Sequence, residues 1–390
     1  MGELAVVDAG ERYDFGCKDT GPSAAIHVDD PLFYRYIVTG GAIGGAEAYM
    51  DGHFHCDDLT SVIRIMALNR KAIDHMEGKG GHLWQPVLRM WHWLNRNNYR
   101  GSQKNIATHY DLGNDFFELF LDPTLTYSCG VFDSKEASME QASIAKYDRL
   151  CRKLGLTKDD HVLEIGTGWG GFAIHAATHY GCRVTTTTIS REQYDLAQQR
   201  VREAGVDDRV ELLFKDYRDL EGTYDKLVSI EMIEAVGIRH WDDYFRVCGE
   251  RLGPEGIMAL QAISVRDQDF ANSKKSVDFI KRYIFPGGQL VSHAALTQAM
   301  ARASDLHITH FEDITAHYAL TLGRWHDRML ENVDRMRAMG LPDRFLAMWE
   351  YYLCYCQGSF AERAIGVFQM VFEKPLCRRD PLLGELTSTD

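Results

Sequence analysis

The stretch LEIGTGWGGFAIHAA, starting at Leu163, constrains the fold of this chain more than any other. HVLEIG reads as a short buried strand that ends at Gly166. A helix follows from about Gly170 to His179. Glycines at 166, 168 and 170 permit a tight turn between them and let a ligand approach the backbone closely. The same alternation continues on both sides. SMEQASIAKYDRLCRKLGL is an amphipathic helix ended by Gly155, CRVTTTTI a β-branched strand, and REQYDLAQQRVREAG a helix ended by Gly205. RVELLFKD, YDKLVSIEM and GIMALQAIS supply further strands, with WDDYFRVCGERLG as an intervening helix. This pattern predicts an α/β fold with a doubly wound, mainly parallel sheet. The last third reads as helical before a final strand at about Val367 to Phe372. The first hundred residues read as mostly helical, with helices from about Leu59 to Met76 and from about Trp84 to Asn97. The expected organisation is a smaller helical N-terminal domain over 1–100 and the α/β domain over 101–390, a reasonable division for 390 residues.

Bulk properties exclude several classes. Hydrophobic residues make up 45%, enough for a sizeable core, and the formal net charge of −13 argues against a general nucleic-acid binder. No apolar run is long enough to cross a bilayer, and the first residues lack the basic and apolar regions of a signal peptide. The nine cysteines include no CxxC pair. The expectation is a reduced cytoplasmic protein without a metal site or a disulfide framework.

The glycine turn satisfies GxGxxG through Gly171, so by itself it fits either a nicotinamide dinucleotide or S-adenosylmethionine. Two details favour the second. Glu164 stands two residues before the first glycine, giving ExGxGxG. The next strand runs into Thr187, Thr188, Ile189 and Ser190, without the acid that would bind a ribose in the dinucleotide manner.

HYDLGNDFFELFLDPTLTYSCGVF, LEIGTGWGGFAIHAA, TTISREQYDLAQ, KDYRDL, SIEMIEAVG and YIFPGG occur in this order. Together they resemble the cyclopropane fatty acid synthases and the related mycolic acid cyclopropane synthases, over about Asn105 to Lys374. GGAIGGAEAYMDGHF is similar to the small helical domain of the phospholipid-acting members. The resemblance implies an S-adenosylmethionine-dependent methyltransferase with a Rossmann-like class I fold. The resemblance further implies action on the double bond of an unsaturated acyl chain in a membrane phospholipid. Tyr127, Ser128, Gly166 and Gly168 are then expected at the cofactor, Thr188, Ile189 and Gln193 on its ribose side, and Asp216, Tyr217 and Arg218 along the adenine. Family members hold a bicarbonate ion as base. Here Cys129, Glu234, Tyr318 and the Ile263 backbone would hold it. Two positions depart from the family pattern. Gln261 and Ala235 stand where relatives often carry His, and Gln261 can donate a hydrogen bond but cannot relay a proton.

The chemistry makes these assignments intelligible. An isolated alkene is a weak nucleophile and must be held in line with the departing sulfur. Attack leaves a carbocation, which calls for a dry pocket with aromatic faces; Tyr110, Phe116, Phe117, Tyr283, Phe285 and Tyr318 are candidates, with core packing the alternative for each. A base must then remove a proton inside an apolar cavity. A small anion oriented by Glu234 is one solution, and Glu234 acting directly is the other. Loss of a different proton gives a methyl-branched or methylene product in place of a ring. Membrane contact is expected at the basic, Trp-rich segment from Arg70 to Lys104, with a second basic cluster at Lys274, Lys275, Lys281 and Arg282. That implies peripheral association with the inner membrane surface, and a homodimer is a family-level expectation.

Overall fold

A computed structural model describes residues 1–70 and 113–382. The helix expected at Trp84–Asn97, the basic segment beyond Arg70, and Tyr110 lie outside the described residues. In chain order the main elements are β1 (Glu3–Asp8), β2 (Glu11–Gly16), β3 (Ser23–Val28), α1 (Leu32–Met50), β4 (Phe54–Cys56) and α2 (Leu59–Leu68). After these come α3 (Met139–Leu154), β5 (His161–Ile165), α4 (Gly171–His179), β6 (Arg183–Thr188), α5 (Arg191–Glu203) and β7 (Val210–Phe214). The chain continues through β8 (Tyr224–Ile230), α6 (Trp241–Arg251), β9 (Leu252–Val265), α7 (His293–Ala303) and β10 (His307–Asp313), then α8 (Thr315–Glu331), α9 (Asp343–Ala361) and β11 (Ile365–Glu373).

Two compact units are interleaved along the chain. One comprises 1–122, 265–289 and 315–366; the other comprises 123–264, 290–314 and 367–390. The boundary expected near residue 100 is therefore a boundary of sequence pattern and coincides with neither unit.

The second unit carries the sheet that the glycine turn predicts. Its strand order is β10-β11-β9-β8-β5-β6-β7. β5 pairs in parallel with β6 and β8, β6 with β7, and β8 with β9, while β10 and β11 are antiparallel. The flanking helices have local reasons to begin and end where they do. Ser138 and Gln141 form a capping box at the start of α3, and Gly155 ends it at φ 62°. Ser190 caps α5 through the Gln193 amide. Leu150 and Leu154 of α3, Phe172 and Ala176 of α4, and Val184 of β6 bury together against the sheet. The four threonines of β6 bury with every hydroxyl bonded: Thr185 to Glu211, Thr186 to Glu164, Thr187 to the Leu213 carbonyl, and Thr188 to Gln193. A polar strand thus lies inside without orphaned hydroxyls.

The first unit corrects the expectation of a mostly helical N-terminal region. Residues 1–56 include a four-stranded sheet of order β2-β1-β3-β4. β1 runs antiparallel to β2 and parallel to β3, and β4 closes antiparallel on β3. These strands are short, and β2 (ERYDFG) is exposed throughout. At six residues or fewer, each offers too brief an alternation to be read as a strand, although Ala24 and Ile26 of β3 do alternate into the core. Farther along the chain, α8 and α9 pack around Trp325 and Trp349. Phe116 meets Trp349 edge-on at 4.8 Å, and Phe120 meets Trp325 at 6.3 Å. Phe116 and Phe117 are fully buried in this aromatic cluster, so core packing is what the structure gives them.

α1 is broken at Gly41, whose φ of 56° and ψ of −135° lie outside the helical region. The break brings the Tyr36 carbonyl oxygen within 1.9 Å of where a Cβ on Gly44 would stand. Gly44→Ala is therefore expected to lower the melting temperature by several degrees, because the backbone must move to admit the methyl. Calorimetry checks this, and an unchanged transition would show that the kink relaxes freely.

Candidate active site

The cofactor turn sits at the carboxyl end of β5, where ligands of open α/β sheets bind. Gly166, Gly168 and Gly170 have φ of 101°, 53° and 86°, a region that side chains rarely adopt. The Gly166 and Thr167 amides both donate to the Thr187 carbonyl, which ties the turn to β6. A Cβ on Gly168 would meet nothing within 4 Å, so the backbone there is open to a ligand. The residues present thus fit a bound S-adenosylmethionine.

Glu164 is not a surface acid. It is buried beneath the turn, accepts from Thr186 at 2.6 Å, and Thr186 in turn bonds Thr167 at 2.7 Å. Burial pushes its pKa up to about 8, partly offset by the Thr186 hydrogen bond and the charge of Lys146. Lys146 is fully buried and donates to the Ser128 hydroxyl at 2.8 Å. Arg200 on α5 binds the carbonyls of Thr124 (2.9 Å) and Trp169 (2.7 Å), clamping the segment that carries Tyr127 and Ser128 to the glycine turn.

The other expected cofactor residues fall at the ends of the following strands. Thr188 donates to Gln193 at 2.9 Å, and Ile189 follows it, half-buried. Asp216 is buried and holds the Arg218 guanidinium through two bonds of 2.7 Å. Tyr217 between them is buried, with its hydroxyl unpartnered. These groups order the two loops that would flank a ribose and an adenine.

Beyond the cofactor residues, β8 and β9 end in a polar cluster. The Glu234 carboxylate accepts from the Ile263 backbone amide, while its Oε2 is sealed from solvent and has no hydrogen-bond partner. Burial, and next the nearby Glu231 charge, push its pKa up to about 8, with the Ile263 amide pulling the other way. Glu231 has a φ of 50°, a left-handed conformation that costs about 1–2 kcal/mol for a residue with a Cβ. Its Oε1 accepts from the Cys129 amide at 2.9 Å and from Gln261 Nε2 at 2.7 Å. Gln261 Nε2 also faces the Cys129 carbonyl at 3.3 Å, and Cys129 Sγ faces the Gly130 carbonyl at 3.2 Å.

This arrangement brings Cys129, Glu234, Gln261 and Ile263 to one end of the sheet and corrects what Gln261 does there. Both hydrogens of its side-chain amide are engaged, so it is not a free donor for an anion. The amides of Cys129 and Ile263 are engaged as well, by Glu231 and Glu234. As folded, the donors of this unit do not present the open set that a bicarbonate ion would need, and two carboxylates stand beside them. Tyr318 belongs to the first unit, on α8. It is buried there, stacked on Phe360 at 4.4 Å and edge-on to Trp325 at 6.2 Å. Tyr283, also in the first unit, donates to Glu47 at 2.5 Å. Glu231, Lys146 and Arg200 are the residues that motif reading passed over. A signal existed for two of them: Glu231 and Glu234 are acids three apart in an apolar run, and Lys146 lies between Ala142 and Leu150 on the buried face of α3.

An ExGxGxG turn on a doubly wound sheet, backed by a buried acid, defines an S-adenosylmethionine-dependent methyltransferase of the class I fold. Comparison with known proteins agrees. The family model described as mycolic acid cyclopropane synthetase matches residues 97–370. The chain is 38% identical over 357 residues to the tuberculostearic acid methyltransferase of Mycobacterium tuberculosis, covering 89% of this chain and 82% of that protein. It is 35% identical over 356 residues to the cyclopropane-fatty-acyl-phospholipid synthase of Escherichia coli, covering 90% and 88%. The solved cyclopropane synthase MmaA2 from Mycobacterium tuberculosis covers 70% of this chain with 98% of its own, at a TM-score of 0.65 and 30% identity. The chain belongs to the cyclopropane synthase family of methyltransferases.

Proposed function

We propose that this enzyme transfers the methyl group of S-adenosylmethionine to the double bond of an unsaturated acyl chain in a membrane phospholipid. The observation that carries the chemistry is Glu234, a carboxylate with one oxygen anchored by a backbone amide and the other sealed and unpartnered. The cofactor, when bound, supplies a methyl group on a sulfonium. The alkene attacks that carbon, the C–S bond breaks, and a carbocation is left on the neighbouring chain carbon. Glu234 then takes a proton. If the proton comes from the added methyl, its C–H electrons close a cyclopropane. If it comes from the chain, they restore a C=C beside a methyl branch. The pattern shared with the Escherichia coli synthase supports the ring. The engaged Gln261 amide, the Glu231 carboxylate beside it and the likeness to a tuberculostearic acid methyltransferase support the branched product as a second reading. Because the donors expected for bicarbonate are engaged, the proton is assigned to Glu234 directly.

A phospholipid substrate requires the enzyme to meet a membrane. No helix among the described residues is long and apolar enough to cross one. Leu32, Ile37 and Val38 are exposed on the first half of α1, with Arg35 beside them, and support peripheral contact. Cytoplasmic peripheral association is part of the same proposal, as is a homodimer.

The test is incubation with S-adenosylmethionine and monounsaturated phosphatidylglycerol vesicles, followed by proton NMR of the extracted esters. Upfield ring protons are expected for cyclopropanation. A methyl doublet or new vinyl signal without ring protons would select the branched product. No added carbon would overturn the lipid assignment.

A further inference from the structure

A line of buried polar side chains runs away from Glu231 and takes no part in the chemistry above. Gln261 Oε1 accepts from Gln369 Nε2 at 2.9 Å, and Gln369 Oε1 accepts from Lys153 Nζ at 2.7 Å. Lys153 also pairs with Glu312, which Arg149 binds as well. Gln261 and Gln369 are wholly buried and Lys153 nearly so. The line joins α3, β11, β9 and the end of β8, all within the second unit.

Its direction is fixed by chemistry. An ammonium can only donate, so the Gln369 carbonyl must face Lys153 and its NH2 must face away. That NH2 meets the Gln261 carbonyl, which turns the Gln261 NH2 toward Glu231. An ionised carboxylate can only accept, so it terminates the chain. Each link forces the next, and neither amide can flip without setting donor against donor at one end and acceptor against acceptor at the other. A buried network satisfied in this way is rigid, and one broken link leaves polar groups orphaned.

We propose that Lys153, Gln369 and Gln261 are positioning residues, a one-way chain of hydrogen bonds that holds the Glu231 carboxylate against the Cys129 backbone and beside Glu234. Glu231 is held in a left-handed backbone conformation, and its Oε1 fixes the Cys129 amide. The chain supplies the second fixed donor to that oxygen. The Glu231 charge raises the Glu234 pKa, so what holds that carboxylate in place bears on when Glu234 gives up its proton. The turnover part of this inference rests on the assignment of Glu234 as the base; the positioning part does not.

Gln369→Leu breaks two links without adding charge. It is expected to lower kcat by at least about tenfold while leaving the affinity for S-adenosylmethionine within about twofold. Glu234 should also titrate at lower pH, read without turnover from the melting-temperature difference between each protein and its Glu234→Gln partner across pH. Lys153→Met removes the donor and should lower kcat and shift Glu234 in the same way, and Lys153→Arg, which keeps a donor-only cation, should recover most of what Lys153→Met loses. Gln369→Glu keeps the Lys153 bond, and with it the fold, but has no donor for Gln261; it should lose turnover as Gln369→Leu does. A Gln369→Leu protein with unchanged kcat and unchanged Glu234 titration would overturn the proposal, as would full activity in Gln369→Glu. If the unaltered enzyme methylates no lipid while the Glu234 titration still moves, the proposed substrate fails and the positioning chain stands.

Discussion

Glu234→Gln is expected to lower turnover by about 10²–10⁴-fold, the usual contribution of a positioned general base, and to leave cofactor affinity within about twofold. Gln keeps the shape and an oxygen for the Ile263 amide but cannot accept a proton. The pH behaviour of the unaltered enzyme should agree. Burial and the Glu231 charge raise the Glu234 pKa to about 8, so its basic form grows as pH rises toward that value. Turnover should therefore increase with pH and level off once Glu234 is ionised. The sulfonium of a bound cofactor favours the ionised form, so the limb in kcat should lie below that of the free enzyme. Stability supplies an independent check with a definite sign. A carboxylate whose folded pKa is raised contributes stability below its unfolded value near 4.5 and loses it as pH rises through the folded value of about 8. The melting temperature of Glu234→Gln relative to the unaltered protein should thus climb between these limits. Steady-state rates and calorimetry across pH measure both effects. Unchanged turnover would remove Glu234 from the reaction.

Gly166→Val is the second large effect. At φ 101° this residue stands where a β-branched side chain is strained, and its Cβ would lie 3.1 Å from the Met232 side chain. The strain of about 1–3 kcal/mol falls on the turn proposed to present its backbone to the cofactor. The dissociation constant for S-adenosylmethionine should rise by about 10–100-fold, because the turn can relieve that strain only by leaving the binding geometry. Titration calorimetry measures it. An unaltered constant would show that the cofactor does not rest on this turn. Gly168→Ala is a useful companion, since its Cβ meets no protein atom within 4 Å, and beyond the backbone strain at φ 53° only a bound ligand would oppose it.

Much of this was legible from local pattern. The glycine turn, the helix-ending glycines at 155 and 205, and the β-branched run at 184–188 each act within a few residues, so the chain order of strands and helices in the second unit could be read directly. The long motif strings placed the chain among the cyclopropane synthases before any coordinates did. Trp325, Tyr351 and Tyr352 stand at helical spacing with other apolar residues, and all three are buried. The N-terminal strands escaped because none of β1 to β4 exceeds six residues and β2 buries nothing, so the alternation in each is too brief to stand out.

Sequence by itself determined the cofactor class and the family, because both are written in contiguous residues whose chemistry is local. Only the tertiary structure decided what Gln261 does. From sequence it was a spare donor where relatives often carry His; in the fold its two hydrogens go to Glu231 and the Cys129 carbonyl, and its oxygen goes to Gln369, 108 positions away. A side-chain amide has no preferred partner of its own. Its role is set by whichever donors and acceptors the sheet places around it, and here Lys153 on α3 fixes that choice two links away.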